Sequence, residues 1–88
     1  MKIRQLDQEL WEVTVDGPPT TTHRVTVPSA IAEKLVGPNP DIARLLEASF
    51  EFLLAREPNT SILRQFELSV IGHYFPEYSA TMQARLRK

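Results

Sequence analysis

The sequence predicts a single α+β domain in which an N-terminal antiparallel β-hairpin packs against two or three α-helices. Apolar and polar residues alternate over residues 9–27, as in a half-buried hairpin, and apolar residues recur at helical spacing from residue 28 onward. A chain of 88 residues is also too short to divide into two separate cores. We therefore assign 1–27 to the hairpin, 28–78 to a helical part and 79–88 to a basic C-terminal tail, either helical or frayed.

Two alternating segments, 9–16 and 21–27, form the predicted hairpin. The side chains that this alternation turns inward are Trp11, Val13, Val15, His23, Val25 and Val27. Between the segments, Gly17 permits a positive φ, and the prolines at 18–19 have no N–H to donate to a ladder. Strand pairing is therefore expected to stop in this turn.

The register of the hairpin follows from keeping the two apolar faces together. We expect Val13 to pair with Val25 and Trp11 with Val27, because side chains alternate between the faces with a period of two. Residues 3–6, which carry two further aliphatic side chains, predict a short first strand that would make the sheet three-stranded.

Two helices are predicted after the hairpin. The first opens at residues 28–29 and ends before Gly37, a residue typical of helix C-termini. The second is expected to begin with Asn39 as its N-cap and Pro40 at its first helical position. It should end near Arg56, because Pro58 disfavours a helical conformation in the residue before it.

The second helix carries two apolar faces. Its main stripe consists of Ile42, Leu45, Leu46, Ser49, Phe50 and Leu53. Phe52 lies about 200° round from this stripe, beside Ala48 and Ala55. Two faces need two partners: either the hairpin and a third helix, or one of these and another protein chain.

A third helix is predicted from residues 59–61, which offer an N-cap, to Pro76. Apolar residues recur at helical spacing between these limits, and either 68–69 or Gly72 could interrupt the helix. In the tail, Tyr78, Met82 and Leu86 are spaced four apart, as on one face of a further helix.

The charges argue against a polyanionic partner. The formal net charge is −1, and residues 1–84 alone carry seven basic and eleven acidic side chains. Basic residues concentrate at Arg85, Arg87 and Lys88, which are the candidates for phosphate contacts. We do not expect nucleic acid to be the main partner. A helix-turn-helix drawn from 61–67 and 69–75 lacks Arg, Lys, Asn or Gln in its second helix.

No pattern indicates an enzyme, a cofactor or a metal. There is no cysteine, and the histidines are only His23 and His73, fifty residues apart. We interpret His23 as a packed hairpin residue and His73 as a rim residue. Ser49, His73 and Glu67 could be combined into a triad only on paper, since no nucleophile-elbow motif presents the serine. Glu47 and Glu51, four apart, are interpreted as a solvated helix face.

Membrane and secretory signals are not expected either. No apolar run approaches eighteen residues, and charged residues follow closely on the N-terminal Met1–Gln5. These features favour a cytoplasmic protein.

About a third of the chain, residues 49–78, carries a further pattern, formed by Ser49–Leu54, Arg56–Pro58, Ser61–Leu63, Phe66, Leu68, Val70–Ile71 and Tyr74–Tyr78. In this pattern the chain resembles a family of small uncharacterised bacterial proteins. A weaker likeness covers 11–15 and 23–28. The resemblance implies a bacterial origin and a compact α+β domain of unknown function, and it implies no catalytic or binding residues.

From these features we expect a non-enzymatic cytoplasmic interaction module, either a homodimer or a small adaptor. The predicted contact residues are the aromatic Trp11, Phe52, Tyr74 and Tyr78, because exposed aromatic side chains are typical of protein interfaces. The alternative is a nucleic-acid-associated regulator, including an antitoxin-like protein, that would use the basic tail and Arg4 or Arg24.

Overall fold

A computed structural model describes residues 1–86 and shows an α+β fold, as predicted. Its four strands form one mixed sheet in the order β1-β2-β3-β4, with the helices on one face. The strands are β1 (Lys2–Gln5), β2 (Leu10–Val15), β3 (Thr21–Thr26) and β4 (Gln65–Glu67). The helices are α1 (Ser29–Val36), α2 (Ile42–Leu54), α3 (Val70–Tyr74) and α4 (Tyr78–Leu86), with a 3-10 turn at Asn59–Ser61.

The hairpin and the short first strand are confirmed, but the expected register is wrong by two residues. Trp11 lies opposite Val25, and Val13 lies opposite His23. A shift of two residues leaves every side chain on the same face, so the alternation alone does not distinguish the two registers. The observed register places the fully buried His23 in the middle of the inner face.

The predicted third helix is wrong. Gln65–Glu67 forms the edge strand β4, parallel to β3, and only Val70–Tyr74 is α-helical in this part of the chain. The backbone of β3 holds β4 in place from both ends: the Arg24 N–H donates to the Arg64 carbonyl at 2.8 Å, and the Leu68 N–H donates to the Thr26 carbonyl at 2.9 Å. The helix-turn-helix interpretation fails for the same reason.

Helix α2 begins two residues later than predicted. The side chain of Asp41 is the N-cap and accepts a hydrogen bond from the Arg44 N–H, while Asn39 adopts a left-handed conformation with φ of 53°. The helix ends at Leu54, close to the expected limit. Helix α1 matches the prediction and ends at Val36, directly before Gly37, whose φ of 90° favours glycine.

Both apolar faces of α2 are buried within the chain. On one side, Phe50 packs between His23 and Phe66, with ring centroids 5.3 and 6.2 Å away. On the other, Phe52 packs edge-on against Phe75 and Tyr78 at 5.8 and 5.4 Å. The helix therefore lies between the sheet and the C-terminal helical segment, and its second face needs no other protein.

The C-terminal tail is helical as far as the structure describes it. Tyr78 and Met82 of α4 are buried against the rest of the core, as their spacing predicts. Arg85 lies in the last turn of α4, where a positive charge is favourable. Arg87 and Lys88 lie outside the described residues.

Candidate protein-binding groove

An apolar groove of about 280 Å³ opens between β4, α3 and the C-terminal end of α2. We call it the β4 groove. Its floor is formed by the buried side chains of Leu53, Ile62, Phe66 and Ile71. Leu63 and Tyr74 form its rims. The groove is thus a continuation of the hydrophobic core that is open to solvent.

The rims are the most exposed large apolar side chains of residues 1–86. Tyr74 is 67% exposed and Leu63 is 50% exposed, whereas the other two such residues, Met1 and Leu6, are less exposed. A single exposed apolar residue is ordinary, but an apolar cleft with apolar rims is typical of a binding surface.

The positions of the two rim residues are set by the short helix α3 and the short strand β4. Tyr74 is the last residue of α3, which ends because Phe75 adopts an extended conformation just before Pro76. Leu63 stands two residues before β4, next to Arg64, whose carbonyl accepts the first hydrogen bond from β3.

The edge of β4 that borders the groove has unused backbone groups. In a parallel ladder, alternate residues bond to the same neighbour, and here the bonds at Arg64 and Leu68 show that even-numbered residues face β3. The N–H and C=O groups of Gln65 and Glu67 therefore point away from β3. β4 is the last strand of the sheet, and within residues 1–86 no backbone hydrogen bond is formed by Gln65 or Glu67 on this side, so this edge is unpaired.

A chain of hydrogen bonds fixes the Leu63 rim to the sheet. Nδ1 of His23 lies 2.7 Å from the Leu63 carbonyl oxygen, and Nε2 lies 2.9 Å from Oγ1 of Thr21. Because a carbonyl oxygen only accepts, Nδ1 carries the proton and Nε2 accepts from the threonine hydroxyl. The Asn59 side-chain amide in turn donates to Thr21 Oγ1 at 2.9 Å. Each group in this chain therefore donates to the next, from Asn59 through Thr21 and His23 to the Leu63 carbonyl.

The neutral form of His23 is the one that this chain of bonds requires. Burial lowers the pKa of His23 below its ordinary 6.5. The bond to the Leu63 carbonyl opposes this shift, and the positive charge of Arg64 adds to it. His23 is therefore a structural histidine with both ring nitrogens in use, in agreement with the interpretation of the sequence.

The structure corrects two of the four predicted contact residues. Phe52 and Tyr78 are 4% and 1% exposed and belong to the core, so neither presents a surface to a partner. Trp11 is half-buried and packs against the core. Only Tyr74 is exposed, and it lines the groove together with Leu63. The sequence does not single out Leu63, because the helical spacing of this segment conceals the strand that follows it.

The residues considered for catalysis are not brought together. Ser49 is buried, donates to the Leu45 carbonyl at 2.7 Å and lies 2.6 Å from the Tyr78 hydroxyl. His73 is exposed, with its ring against Tyr74. Within residues 1–86, no group of three His, Cys, Asp or Glu side chains could hold a metal ion. Over the same range, no helix has the length and hydropathy needed to cross a membrane.

Some of the arginines considered for phosphate contacts already pair with carboxylates. Arg85 forms an exposed ion pair with Glu51. On the open face of the sheet, Arg4 and Arg24 lie on either side of Glu12, which pairs with Arg4 at 3.2 Å. The predicted contacts Arg87 and Lys88 lie outside the described residues.

Comparisons of the chain with protein-family models, with curated proteins and with solved structures return no match. The resemblance to the bacterial family therefore stays an interpretation of the sequence.

Proposed function

We propose that this protein is a non-enzymatic interaction module whose β4 groove binds an extended segment of a protein chain. The observation that carries the proposal is the position of the apolar groove directly beside the open edge of β4. A segment added to this edge would form main-chain hydrogen bonds with Gln65 and Glu67. Its alternate side chains would enter the groove, which is the usual mode of strand addition.

The shape of the groove favours such a ligand because its walls are already in place. The bond from His23 to the Leu63 carbonyl holds one rim, and the helical turn of α3 holds Tyr74 on the other. Walls that are ordered before binding reduce the entropy that association must overcome.

The charge of the groove specifies one feature of the bound segment. Glu57 is the only ionisable side chain among the lining residues apart from the Tyr74 phenol, and no basic side chain lines the groove. A segment with apolar residues at alternate positions and a lysine or arginine at one end would complement it.

A cytoplasmic setting is part of the proposal, since a chain without cysteine does not depend on an oxidising compartment. The nucleic-acid alternative receives less support, because Arg4 and Arg85 pair with carboxylates and Arg24 lies opposite Glu12.

The test uses a fluorescein-labelled peptide in which valine and threonine alternate and one end carries lysine. Binding is followed by fluorescence anisotropy, and the site is mapped from the amide chemical shifts of isotopically labelled protein. We expect saturable binding below about 1 mM, the range of weak specific recognition. The largest shifts should lie at Gln65, Glu67 and the groove.

Variants at exposed positions distinguish binding in the groove from non-specific hydrophobic binding. Leu63→Ser and Tyr74→Ser should each weaken binding, while Leu6→Ser, which removes a comparably exposed leucine far from β4, should leave it unchanged. A peptide of the same composition without the alternation should bind less. Equal binding to all three variants, or shifts confined to another surface, would contradict the proposal.

A further inference from the structure

We propose that the segment bound at the edge of β4 is β4 of a second copy of this chain, so that the protein forms a two-fold symmetric dimer. This inference rests on the proposed function, since it uses the same edge and groove. Antiparallel pairing of the two β4 strands would join two four-stranded sheets into one of eight strands.

The short sequence of β4 is complementary to itself. Because Gln65 and Glu67 turn their backbone groups outward, a two-fold axis beside Phe66 places Gln65 of each copy opposite Glu67 of the other. Each such pair exchanges two backbone hydrogen bonds, which makes four across the interface. The arrangement closes on itself and leaves no free β4 edge for a third copy.

The side chains of these pairs are also matched. Gln65 and Glu67 are both exposed on the face of the sheet opposite the helices, where a glutamine amide can donate to a carboxylate. No two like charges lie opposite each other. On the helix side, the same axis turns the two grooves towards each other, so the exposed Leu63 and Tyr74 of each copy gain apolar neighbours.

The opposite edge of the sheet does not offer this complementarity. The bond from the Leu6 N–H to the Leu10 carbonyl, 2.8 Å long, shows that Ile3 and Gln5 carry the outward backbone groups of β1. The two antiparallel registers that pair three residues of each β1 strand through these groups set Arg4 opposite either Arg4 or Lys2. Like charges directly opposite are destabilising and are a common protection of edge strands.

Charge substitutions at Gln65 test the dimer through sedimentation equilibrium at low ionic strength. Gln65→Glu places two acidic pairs across the interface and should weaken dimerisation, while Gln65→Lys creates two opposite-charge pairs and should strengthen it. Each change should alter the dissociation constant by about 2- to 30-fold, from two symmetry-related cross-strand pairs. The double variant Gln65→Glu with Glu67→Lys should regain dimerisation.

The same substitutions have opposite effects inside one chain, which provides an internal control. Gln65 lies beside Arg24 of β3, so Gln65→Glu should favour the folded monomer and Gln65→Lys should not. Loss of dimer in Gln65→Glu would therefore not reflect unfolding, and urea denaturation checks this. Lys34→Glu, an acidic substitution at an exposed position of α1 away from both sheet edges, should leave the dissociation constant unchanged.

Three outcomes would overturn the inference: a monomer at all concentrations up to about 1 mM, a series of species larger than the dimer, or a dimer indifferent to the charge at residue 65. If the protein is a strict monomer that still binds the alternating peptide through Leu63 and Tyr74, the dimer proposal is wrong and the proposed function stands. A different outcome is that the peptide does not bind, while the dimer forms and the Gln65 variants respond as expected. The edge of β4 then pairs only with a second copy, and the proposed function of binding segments of other proteins is wrong.

Discussion

His23 in β3 and Leu63 at the rim of the groove are joined by a hydrogen bond of 2.7 Å between residues forty positions apart in the chain. The bond uses the histidine as a donor from Nδ1, while Nε2 accepts from Thr21. Protonation of the ring would turn Nε2 into a second donor, so Thr21 would have to accept from Nε2 instead of donating to it. The rim of the groove is therefore connected to a titratable group in the core.

This connection predicts that the protein loses stability in mildly acidic solution. Because the pKa of His23 is lowered in the folded state, the unfolded chain binds the proton more readily. The stabilisation is fully present above the unfolded value of 6.5 and is lost as the pH falls from there towards the folded pKa. Urea denaturation between about pH 8 and about pH 5 should show a slope of at most about 1.4 kcal/mol per pH unit from this group.

Substitution of the other histidine is the matched control for this pH dependence. His73→Gln, at an exposed position, should retain the slope, and His23→Gln should reduce it while also lowering stability at neutral pH. The prediction is wrong if His73→Gln, and not His23→Gln, abolishes the slope.

Phe50 should be the core position most sensitive to truncation. It is fully buried, and it links the sheet to α2 through its contacts with His23 and Phe66. Phe50→Ala should cost about 3–5 kcal/mol, a large part of the stability of so small a domain. Phe50→Leu should cost less, since it leaves a smaller cavity. Thermal denaturation monitored by circular dichroism measures both; equal losses would indicate that Phe50 is not tightly packed.

The parts of the fold that local pattern determines are those the sequence predicts. The alternation of β2 and β3 and the stripe of α2 concern neighbouring residues only, and each is confirmed. β4 is different, because three residues have too little periodicity of their own and pair with β3 across the intervening α1 and α2. Helical spacing in 59–75 therefore predicted a helix where a distant strand determines the conformation.

The same reasoning explains which site residues were predictable. Tyr74 could be selected as an aromatic residue at the end of an apolar segment. Leu63 and the outward backbone groups of Gln65 and Glu67 acquire their roles only from the pairing of β4, which no local pattern indicates. The sequence does not predict the burial of Phe52 and Tyr78, because these two rings and Phe75 are brought together only by the packing of the C-terminal helical segment on α2.

Asp41, the observed N-cap of α2, and Asn39, the predicted one, should differ in their contributions to the stability of the protein. Asp41→Ala removes the acceptor for the Arg44 N–H and should cost about 1 kcal/mol. Asn39→Gly should cost little or stabilise the protein, because a residue with φ of 53° favours glycine. Urea denaturation of the two variants compares them directly, and a greater loss in Asn39→Gly would restore the cap that the sequence predicted.

The buried pair of Ser49 and Tyr78 should respond unequally to removal of its two hydroxyls. Ser49 has one proton and donates it to the Leu45 carbonyl, so the Tyr78 hydroxyl donates to Ser49 Oγ. Tyr78→Phe removes one hydrogen bond but leaves the Ser49 donor satisfied, and should cost about 1 kcal/mol. Ser49→Ala leaves a buried phenol without this partner and should cost more, about 1–3 kcal/mol.

The ionisation of the phenol gives an independent measurement of the same pair. Burial raises the pKa of Tyr78 to about 12 from 10.0. The folded state thus holds this proton longer than the unfolded chain, and the resulting stability is present below pH 10.0 and lost as the pH rises towards about 12. Absorbance at alkaline pH should show a transition near 12 that Tyr78→Phe removes and Tyr74→Phe retains. If Tyr78→Phe proves as costly as Ser49→Ala, the direction of donation assigned to this pair is wrong. If the transition survives Tyr78→Phe, it does not belong to the buried phenol.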